Sequence, residues 1–277
     1  MKKDCFMDRN CLWEFIKKLV NRINEDEIFA LSAQLAYYLL LSFFPFLMLL
    51  MIVIGFSNIS TTDTLKYLEG ALPINAYNLI ESTVIEVLGG QKGQLLGVSL
   101  ALSIWSASSG FSAVIKGLNK AYGIKEQRGY IKGILISISS TIGVVVIILL
   151  TLFLVVFGGV IRQILIDNLP FDNIITFAWD ILRFAILIIV MIFMFAILYH
   201  FAPCKKIKWG DGFPGAVTTT LGWILASFLF SFYVNNFSNY SRFYGSLGAV
   251  IVLMTWLYIN SVILLLGGEI NALLIEE

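Results

Sequence analysis

Charged residues are scarce in this sequence: they make up 13% of 277 residues, whereas soluble domains average about 25%. Hydrophobic residues reach 58%, which is more apolar surface than a water-soluble domain of this size can bury. The formal net charge of +1 also lacks the basic surplus that is typical of a nucleic-acid-binding protein. The composition therefore excludes a soluble globular protein and predicts one integral membrane domain with no nucleic-acid partner.

Residue types that bind metals or catalyse reactions are few as well. The sequence has one histidine, His200, and three cysteines, and Cys5 and Cys11 have no third ligand nearby. It contains neither a GxxxxGK[ST] phosphate-binding loop nor a Ser/His/Asp arrangement that spacing would support. We therefore expect no metal ion, no cofactor and no enzymatic activity, and we expect the thiols to be free.

Six apolar runs are long enough to cross about 30 Å of hydrocarbon at a helical rise of about 1.5 Å per residue. They are continuously apolar rather than alternating, which predicts α-helices and not barrel strands. The predicted fold class is all-α, a polytopic integral membrane protein with about six transmembrane helices. The predicted spans are Phe29–Phe56, Leu95–Ile115, Gly133–Val160, Ile174–Phe201, Phe213–Val234 and Leu247–Ile270.

The distribution of positive charge predicts the orientation. Of the 19 lysines and arginines, 14 fall before the first span, between the second and third spans, or between the fourth and fifth. Only 4 fall on the other side, so the positive-inside rule places both termini in the cytoplasm. We expect a cytoplasmic amphipathic segment at 1–28, a six-helix membrane domain at 29–270 and a short cytoplasmic tail at 271–277.

Two segments outside the spans have amphipathic patterns. Before the first span, apolar residues at helical spacing predict a helix in the inner interface, with Trp13 at the headgroup level. Its apolar side holds Leu12, Phe15, Ile16, Leu19 and Ile23, and its polar side Glu14, Lys17, Lys18 and Arg22. In the outer loop from Ser57 to Gln94, two short helices separated at Pro73 are predicted. They either lie on the membrane or cap a cavity.

Ionisable residues within the spans are candidate site residues, because a charge in the bilayer is costly and usually faces a bundle interior or water. Asp180 and Arg183 are three apart on the fourth span, where they form either a structural salt bridge near the outer interface or a substrate site. Glu269 follows Gly267 and Gly268 at the inner end of the sixth span. There it either meets cytoplasmic basic residues or lines an inward-facing mouth.

Five uncharged residues complete the candidate set. Pro45 removes a backbone hydrogen bond within the first span and should kink it. Gln34 and Tyr38 share a helix face before it and can hydrogen-bond to another helix. Ser106 lies in the stretch WSASSG, which allows either tight helix packing or a polar pathway. Asn260 lies about midway along the sixth span and needs a buried partner, as a helix contact or as a ligand group.

Six segments follow one another in a distinctive order: AQLAYYLLLSFFP, IWSASSGFSAVIKGLNKAYG, YHFAP, FPGAVTTTLGW, FSFYVNNFSNYSRFYGSLGAVIVLMTWLY and LLLGGEINALL. In this order they resemble the YihY/BrkB family of bacterial inner-membrane proteins, from about Trp13 to Leu274. The resemblance implies a six-helix protein of the bacterial cytoplasmic membrane, without a settled activity. An older label links the family to ribonuclease, but one histidine and scattered acids do not supply the ligands that a metal-dependent nuclease needs.

Two hypotheses of function follow from the sequence. The leading one is a transporter or lipid translocator, because polar groups lie within several spans and the last two spans are rich in glycine. Arg183, an intramembrane cation, then indicates an anionic amphiphile as substrate. The alternative is a non-transporting scaffold or assembly protein that binds a partner through the amphipathic helix or the outer loop. Either protein contacts the lipid bilayer, and its close helix packing suits a homo-oligomer as well as a single bundle.

Overall fold

All regular structure in the described part of the chain is helical, which confirms the all-α fold class. The computed structural model describes residues 9–56, 92–126, 128–129, 131–139, 172–204, 207–237 and 247–276. Seven helices are found within these ranges. They are α1 (Arg9–Glu25), α2 (Ile28–Phe56), α3 (Lys92–Ala121), α4 (131–139), α5 (Asp172–Phe201), α6 (Trp209–Phe237) and α7 (Leu247–Glu276).

Three of the described helices are long and apolar enough to cross a membrane. The qualifying stretches are Phe184–Phe201 in α5, Trp209–Val234 in α6 and Val250–Glu276 in α7. A shorter apolar stretch, Ile28–Ser42, begins α2. Helices of this kind support an integral membrane protein, in agreement with the composition.

The surface of α6 shows how such a helix meets lipid. Four large apolar side chains recur every three or four residues and stay exposed: Leu221, Leu225, Phe228 and Phe232. The exposed fraction of Phe228 is 70%, which in water would be an unfavourable apolar patch. In a bilayer, the same stripe is the face that contacts hydrocarbon.

Some predicted span boundaries lie close to the ends of the observed helices, and others do not. The first predicted span began at Phe29, and α2 covers Ile28–Phe56 without interruption at Pro45. The last was predicted to end at Ile270, but α7 continues to Glu276 because Asn271, Ala272 and Leu273 are buried. Most of the third predicted span and the two outer-loop helices lie outside the described residues. The six-span count and the orientation stay predictions.

The described helices form two compact units. The first comprises α1, α4 and α5 with 114–121 of α3, 209–224 of α6 and 263–276 of α7. The second comprises 29–56 of α2 with 92–113 of α3, 225–237 of α6 and 247–262 of α7. The charged side chains that form ion pairs in the described part of the chain all belong to the first unit.

The end of α3 is fixed by a glycine. Gly123 has a φ of 62°, a left-handed conformation that glycine adopts without steric penalty. Its N–H donates to the carbonyl oxygen of Lys120, and the next N–H, of Ile124, donates to that of Asn119. This is a Schellman motif, which ends the helix and turns the chain toward the loop before α4.

Candidate functional site

Three of the sequence segments singled out above meet in the first unit. YHFAP ends α5, FPGAVTTTLGW lies in the first half of α6, and LLLGGEINALL lies in the second half of α7. Each contributes at least one fully buried polar side chain, namely Tyr199, Thr219 and Asn271. A buried polar group is stable only when it is hydrogen-bonded, so the contacts of these residues describe how the three helices fit together.

Tyr199 joins the three helices through one hydroxyl group. Its O–H donates to the carbonyl oxygen of Leu264 on α7 at 2.7 Å. Its oxygen also lies 2.6 Å from Oγ1 of Thr219 on α6. Since the single tyrosine proton is used on Leu264, the Thr219 hydroxyl is the donor in the second bond.

Asn271 forms hydrogen bonds with the backbone of α6 next to a proline. Pro214 has no N–H and weakens the helical hydrogen bonding around it. The Asn271 side chain accepts a hydrogen bond from the N–H of Gly215 at 2.6 Å and donates one to the carbonyl oxygen of Gly212 at 3.1 Å. One amide group on α7 therefore binds the α6 backbone on either side of the proline.

Glycines make this close contact between α6 and α7 possible. A Cβ atom on Gly215 would overlap the carbonyl oxygen of Gly267 and the side chain of Asn271. A Cβ atom on Gly267 would overlap Oγ1 of Thr219 and the hydroxyl of Tyr199. Gly215 and Gly267 thus allow the backbones of α6 and α7 to come into direct contact at this point.

Tyr199, Thr219, Gly215, Gly267, Glu269 and Asn271 form one buried cluster. Arg22 connects α1 to this cluster, and all three of its guanidinium nitrogens donate hydrogen bonds. Nε donates to Oε2 of Glu269 at 3.1 Å, and Nη1 donates to Oε2 of Glu276 at 2.7 Å. Nη2 donates to the carbonyl oxygen of Ala121, at the end of α3, at 2.7 Å. Burial alone would lower the pKa of Arg22, but the hydrogen bond with Glu276 and the charge of Glu269 raise it overall, so the guanidinium stays charged.

Glu269 is the most unusual member of the cluster. Its side chain is 0% exposed, although it is ionisable and lies within the apolar stretch Val250–Glu276. Its Oε2 is paired with Arg22, whereas its Oε1 is buried and has no hydrogen-bond partner in the described part of the chain. The carboxyl group of Asp26 also approaches it, so that three acids, Glu269, Glu276 and Asp26, lie near one guanidinium. Such an arrangement leaves one buried acceptor for a ligand, a water molecule or a proton.

A second polar contact in the first unit ties the loop after α3 to the end of α5. Asn119 accepts the N–H of Cys204 at 2.8 Å and donates to Glu126 at 2.8 Å, and the free thiol of Cys204 donates to Glu126. Arg128 donates to the carbonyl oxygens of Ala202 and Pro203. As with Arg22 at α3, a guanidinium lies at the carboxyl end of a helix, where its charge is favourable.

Comparison with known proteins assigns the chain to a family. Residues 19–277 match the family described as virulence factor BrkB. The chain belongs to the virulence factor BrkB family. This confirms the resemblance drawn from the six segments, three of which form the cluster just described. No solved structure gives a significant match.

Relatives of this chain come from species of Bacillus and Vibrio. The chain is 41% identical over 260 residues, 94% of each chain, to a Bacillus subtilis protein whose name describes it as ribonuclease-like, YfkH. It is 26% identical over 268 residues to a UPF0761 membrane protein of Vibrio campbellii. It is 25% identical over 270 residues to another, VP0125, of Vibrio parahaemolyticus. Both matches cover 95% of this chain and 82% of the relative, and these names support a membrane protein.

All five uncharged candidate residues lie in the second unit. Gln34 is exposed, and Tyr38 is half-buried with its Cβ 3.7 Å from the position that a Cβ of Gly110 would take. Ser106 is buried on α3. Asn260 is half-buried, and it donates to the carbonyl oxygen four residues before it, while its Oδ1 is buried without a partner in the described part of the chain. Their role as site residues stays a prediction.

Among the charged candidates and Pro45, only Glu269 has a described side chain. Glu269 lies in the first unit, and its pairing with Arg22 agrees with the first of the two arrangements considered from sequence. Pro45, Asp180 and Arg183 lie within helices α2 and α5, but their side chains are outside the described part of the structure. Among the residues described, no three His, Cys, Asp or Glu side chains converge as metal ligands would.

Sequence reasoning missed three central residues. Arg22 was assigned to the polar side of an interfacial helix, but its side chain is only 17% exposed and binds three groups of the bundle. Tyr199 and Asn271 carried no charge and lay at the predicted end of a span or just past it. The segments YHFAP and LLLGGEINALL contained the signal, since each places a polar side chain next to residues that allow close helix approach.

Proposed function

We propose that this BrkB-family protein is a six-span transporter or lipid translocator of the bacterial cytoplasmic membrane, for an anionic amphiphile, with both termini in the cytoplasm. The observation that carries the proposal is Glu269, a fully buried ionisable residue in an apolar helix, paired with Arg22 of a separate helix. Ionisable groups at such positions are usually part of a substrate or ion pathway, because a membrane helix gains nothing in packing from burying a charge.

The contacts of Arg22 support a closed inner mouth as the state described here. Its guanidinium binds two carboxylates and a helix-terminal carbonyl at once. The phosphate or carboxylate headgroup of an anionic amphiphile is a similar acceptor, and arginine binds such groups in a bidentate manner. In this mechanism the headgroup replaces Glu269 as the partner of Arg22, α1 moves away from α7, and the path opens toward the cytoplasm.

The positions of the arginines support the proposed orientation. Arg22 and Arg128 lie at the carboxyl ends of α3 and α5, and Arg22 also binds the end of α7. Both belong to the basic segments that the positive-inside rule assigns to the cytoplasm. Under this proposal the three helices end on the inner side, and the chain catalyses no covalent reaction.

A reconstituted assay tests the proposal. The purified protein is placed in liposomes that carry a fluorescent anionic or zwitterionic lipid analogue, and a membrane-impermeant quencher reports leaflet exchange. We expect exchange of the anionic analogue above protein-free liposomes, and a loss of most of it in Arg22→Gln and Glu269→Gln. Lys120→Gln is the matched control, because Lys120 pairs with Glu27 at an exposed site. If Asp180→Asn, Arg183→Gln and Glu269→Gln all transport like the parent, the site assignment is wrong.

A non-transporting scaffold is the second candidate. Hydrogen bonds between helices support this candidate: Tyr199, Thr219 and Asn271 all bind groups on a neighbouring helix. Residues that only stabilise a helix bundle are expected to do this. Cysteine-substitution accessibility separates the two candidates. In a cysteine-free background, labelling deep in the inner halves of α2, α5 and α7 by impermeant thiol reagents indicates a water-filled path. Protection at every depth, with stable co-purification of one partner, favours the scaffold.

A further inference from the structure

Helix α1 has two faces with different surroundings. Phe15, Leu19 and Arg22 are partly buried, and Arg22 holds this face against α3 and α7. Three apolar residues at helical spacing point elsewhere: Trp13, Ile16 and Val20, with exposed fractions of 68%, 43% and 49%. We call these three residues the α1 stripe. An exposed apolar stripe of this kind marks a surface that binds another apolar partner.

The contacts of Arg22 fix the level of α1 relative to the membrane. Glu269 and Glu276, its partners, lie in the last turns of the apolar stretch Val250–Glu276. Its third partner, the carbonyl group of Ala121, is at the end of α3. Helix α1 therefore lies where a membrane-crossing helix leaves the hydrocarbon, which is the depth of the lipid headgroups. A tryptophan at that depth is in its preferred environment.

The charge around the α1 stripe is complementary to anionic lipid. Helix α1 contains four lysines and arginines and two glutamates. Lys17 is exposed and lies one turn from Trp13, so its stem can follow the apolar stripe while its ammonium group reaches phosphate. Basic residues at a membrane surface are attracted to anionic headgroups by about 1 kcal/mol each.

We propose that the α1 stripe inserts into the anionic lipid surface of the membrane, with Lys17 on the headgroups and Arg22 fixing the helix so that this face meets lipid. The interaction needs no transported substrate, so it holds for a transporter and for a scaffold. The full-length protein in liposomes gives the test. In a background with Cys5, Cys11 and Cys204 replaced by serine, Ile16→Cys is labelled with an environment-sensitive fluorophore, and spin-labelled lipids quench it on contact.

Glu25→Cys is the matched control, because Glu25 is exposed on the side of α1 away from the stripe. We expect quenching at position 16 to be several-fold stronger than at position 25, and to rise when phosphatidylglycerol is added to phosphatidylcholine. Lys17→Glu should remove that rise. Equal quenching at positions 16 and 25, or quenching that does not change when phosphatidylglycerol is added, overturns the proposal. A disulfide between two chains through Ile16→Cys also overturns it, because a second copy then covers the stripe.

Discussion

The Nε atom of Arg22 lies 3.1 Å from Oε2 of Glu269, so that an ion pair joins the first described helix to the last across 247 positions. The two partners differ in their surroundings, since the Arg22 side chain is 17% exposed and that of Glu269 is fully buried. Removing the arginine therefore leaves a buried carboxylate without its counter-charge, whereas removing the carboxylate leaves a guanidinium that still reaches Glu276. The two substitutions should have unequal effects.

Arg22→Ala should lower the free energy of unfolding by about 1–3 kcal/mol, because an unpaired buried charge is costly. Adding Glu269→Gln to Arg22→Ala should recover part of this loss, since no charge then stays buried. Equilibrium unfolding by SDS in mixed micelles measures both effects. Lys120→Ala, which breaks the exposed pair with Glu27, is the control and should change the free energy by less than about 1 kcal/mol. A double variant as unstable as the sum of the single variants would contradict this account.

Asn271→Ala should destabilise the protein by about 2–4 kcal/mol, because it leaves the N–H of Gly215 and the carbonyl group of Gly212 without their side-chain partner. The matched control is Asn236→Ala, where an exposed side chain binds, within the described residues, the carbonyl group of Phe232 on its own helix. That variant should unfold within about 0.5 kcal/mol of the parent in the same SDS titration. Equal losses for the two asparagines would show that Asn271 does not support the α6 backbone.

Gly267→Ala should prevent the close contact of α6 and α7, because the added methyl group would overlap Thr219 and Tyr199. We expect a loss of at least about 3 kcal/mol, or failure to accumulate in the membrane. Gly210→Ala serves as the control, since no described atom lies within 4 Å of its added methyl group. It should be neutral or stabilise α6 by up to about 1 kcal/mol. Thermal aggregation of the two variants in detergent, followed side by side, is sufficient to compare them.

Tyr199→Phe should lower the free energy of unfolding by about 1–2 kcal/mol, because it removes the donor to the carbonyl group of Leu264 and the acceptor of the Thr219 proton. Combined with Thr219→Val in a double-mutant cycle, it should show a coupling of about 0.5 kcal/mol or more. Ser261→Ala is a useful reference, since among the described residues Ser261 bonds to the carbonyl group of Leu257 on its own helix. Additive effects of Tyr199→Phe and Thr219→Val would mean that their hydrogen bond is absent in the membrane.

Much of the secondary structure could be predicted, because hydropathy is a property of consecutive residues and can be calculated without knowing the tertiary contacts. The start of α7 at Leu247 and the end of α5 at Phe201 coincide with the predicted span limits. The end of α7 did not, since Glu269 and Asn271 lower the local hydropathy although both are buried in protein. Hydropathy reports transfer to lipid and does not register a polar residue that is satisfied by a neighbouring helix.

The partners within the candidate site could not be predicted, because they are set by tertiary contacts. Glu269 was found from sequence as a charge in an apolar span, and its two possible surroundings were both considered. The choice of Arg22 as its partner depends on how α1 packs, and the helical pattern of 1–28 placed that residue with the solvated charges. The role of Asn271 depends on Pro214, which lies 57 positions earlier on α6. The side chain of Asn271 can bind the backbone next to this proline only because α6 and α7 pack together, and the sequence does not reveal that packing.

The ion pair between Arg22 and Glu269 also orders events during biosynthesis. At about 5–20 residues per second, Arg22 leaves the ribosome roughly 12 to 50 s before Glu269 does. During that interval the guanidinium has no Glu269 to bind. The contacts of Arg22 with Glu269 and Glu276 therefore form only after α7 has been made, and a nascent chain released before that point retains, of these three partners of Arg22, the carbonyl group of Ala121 alone.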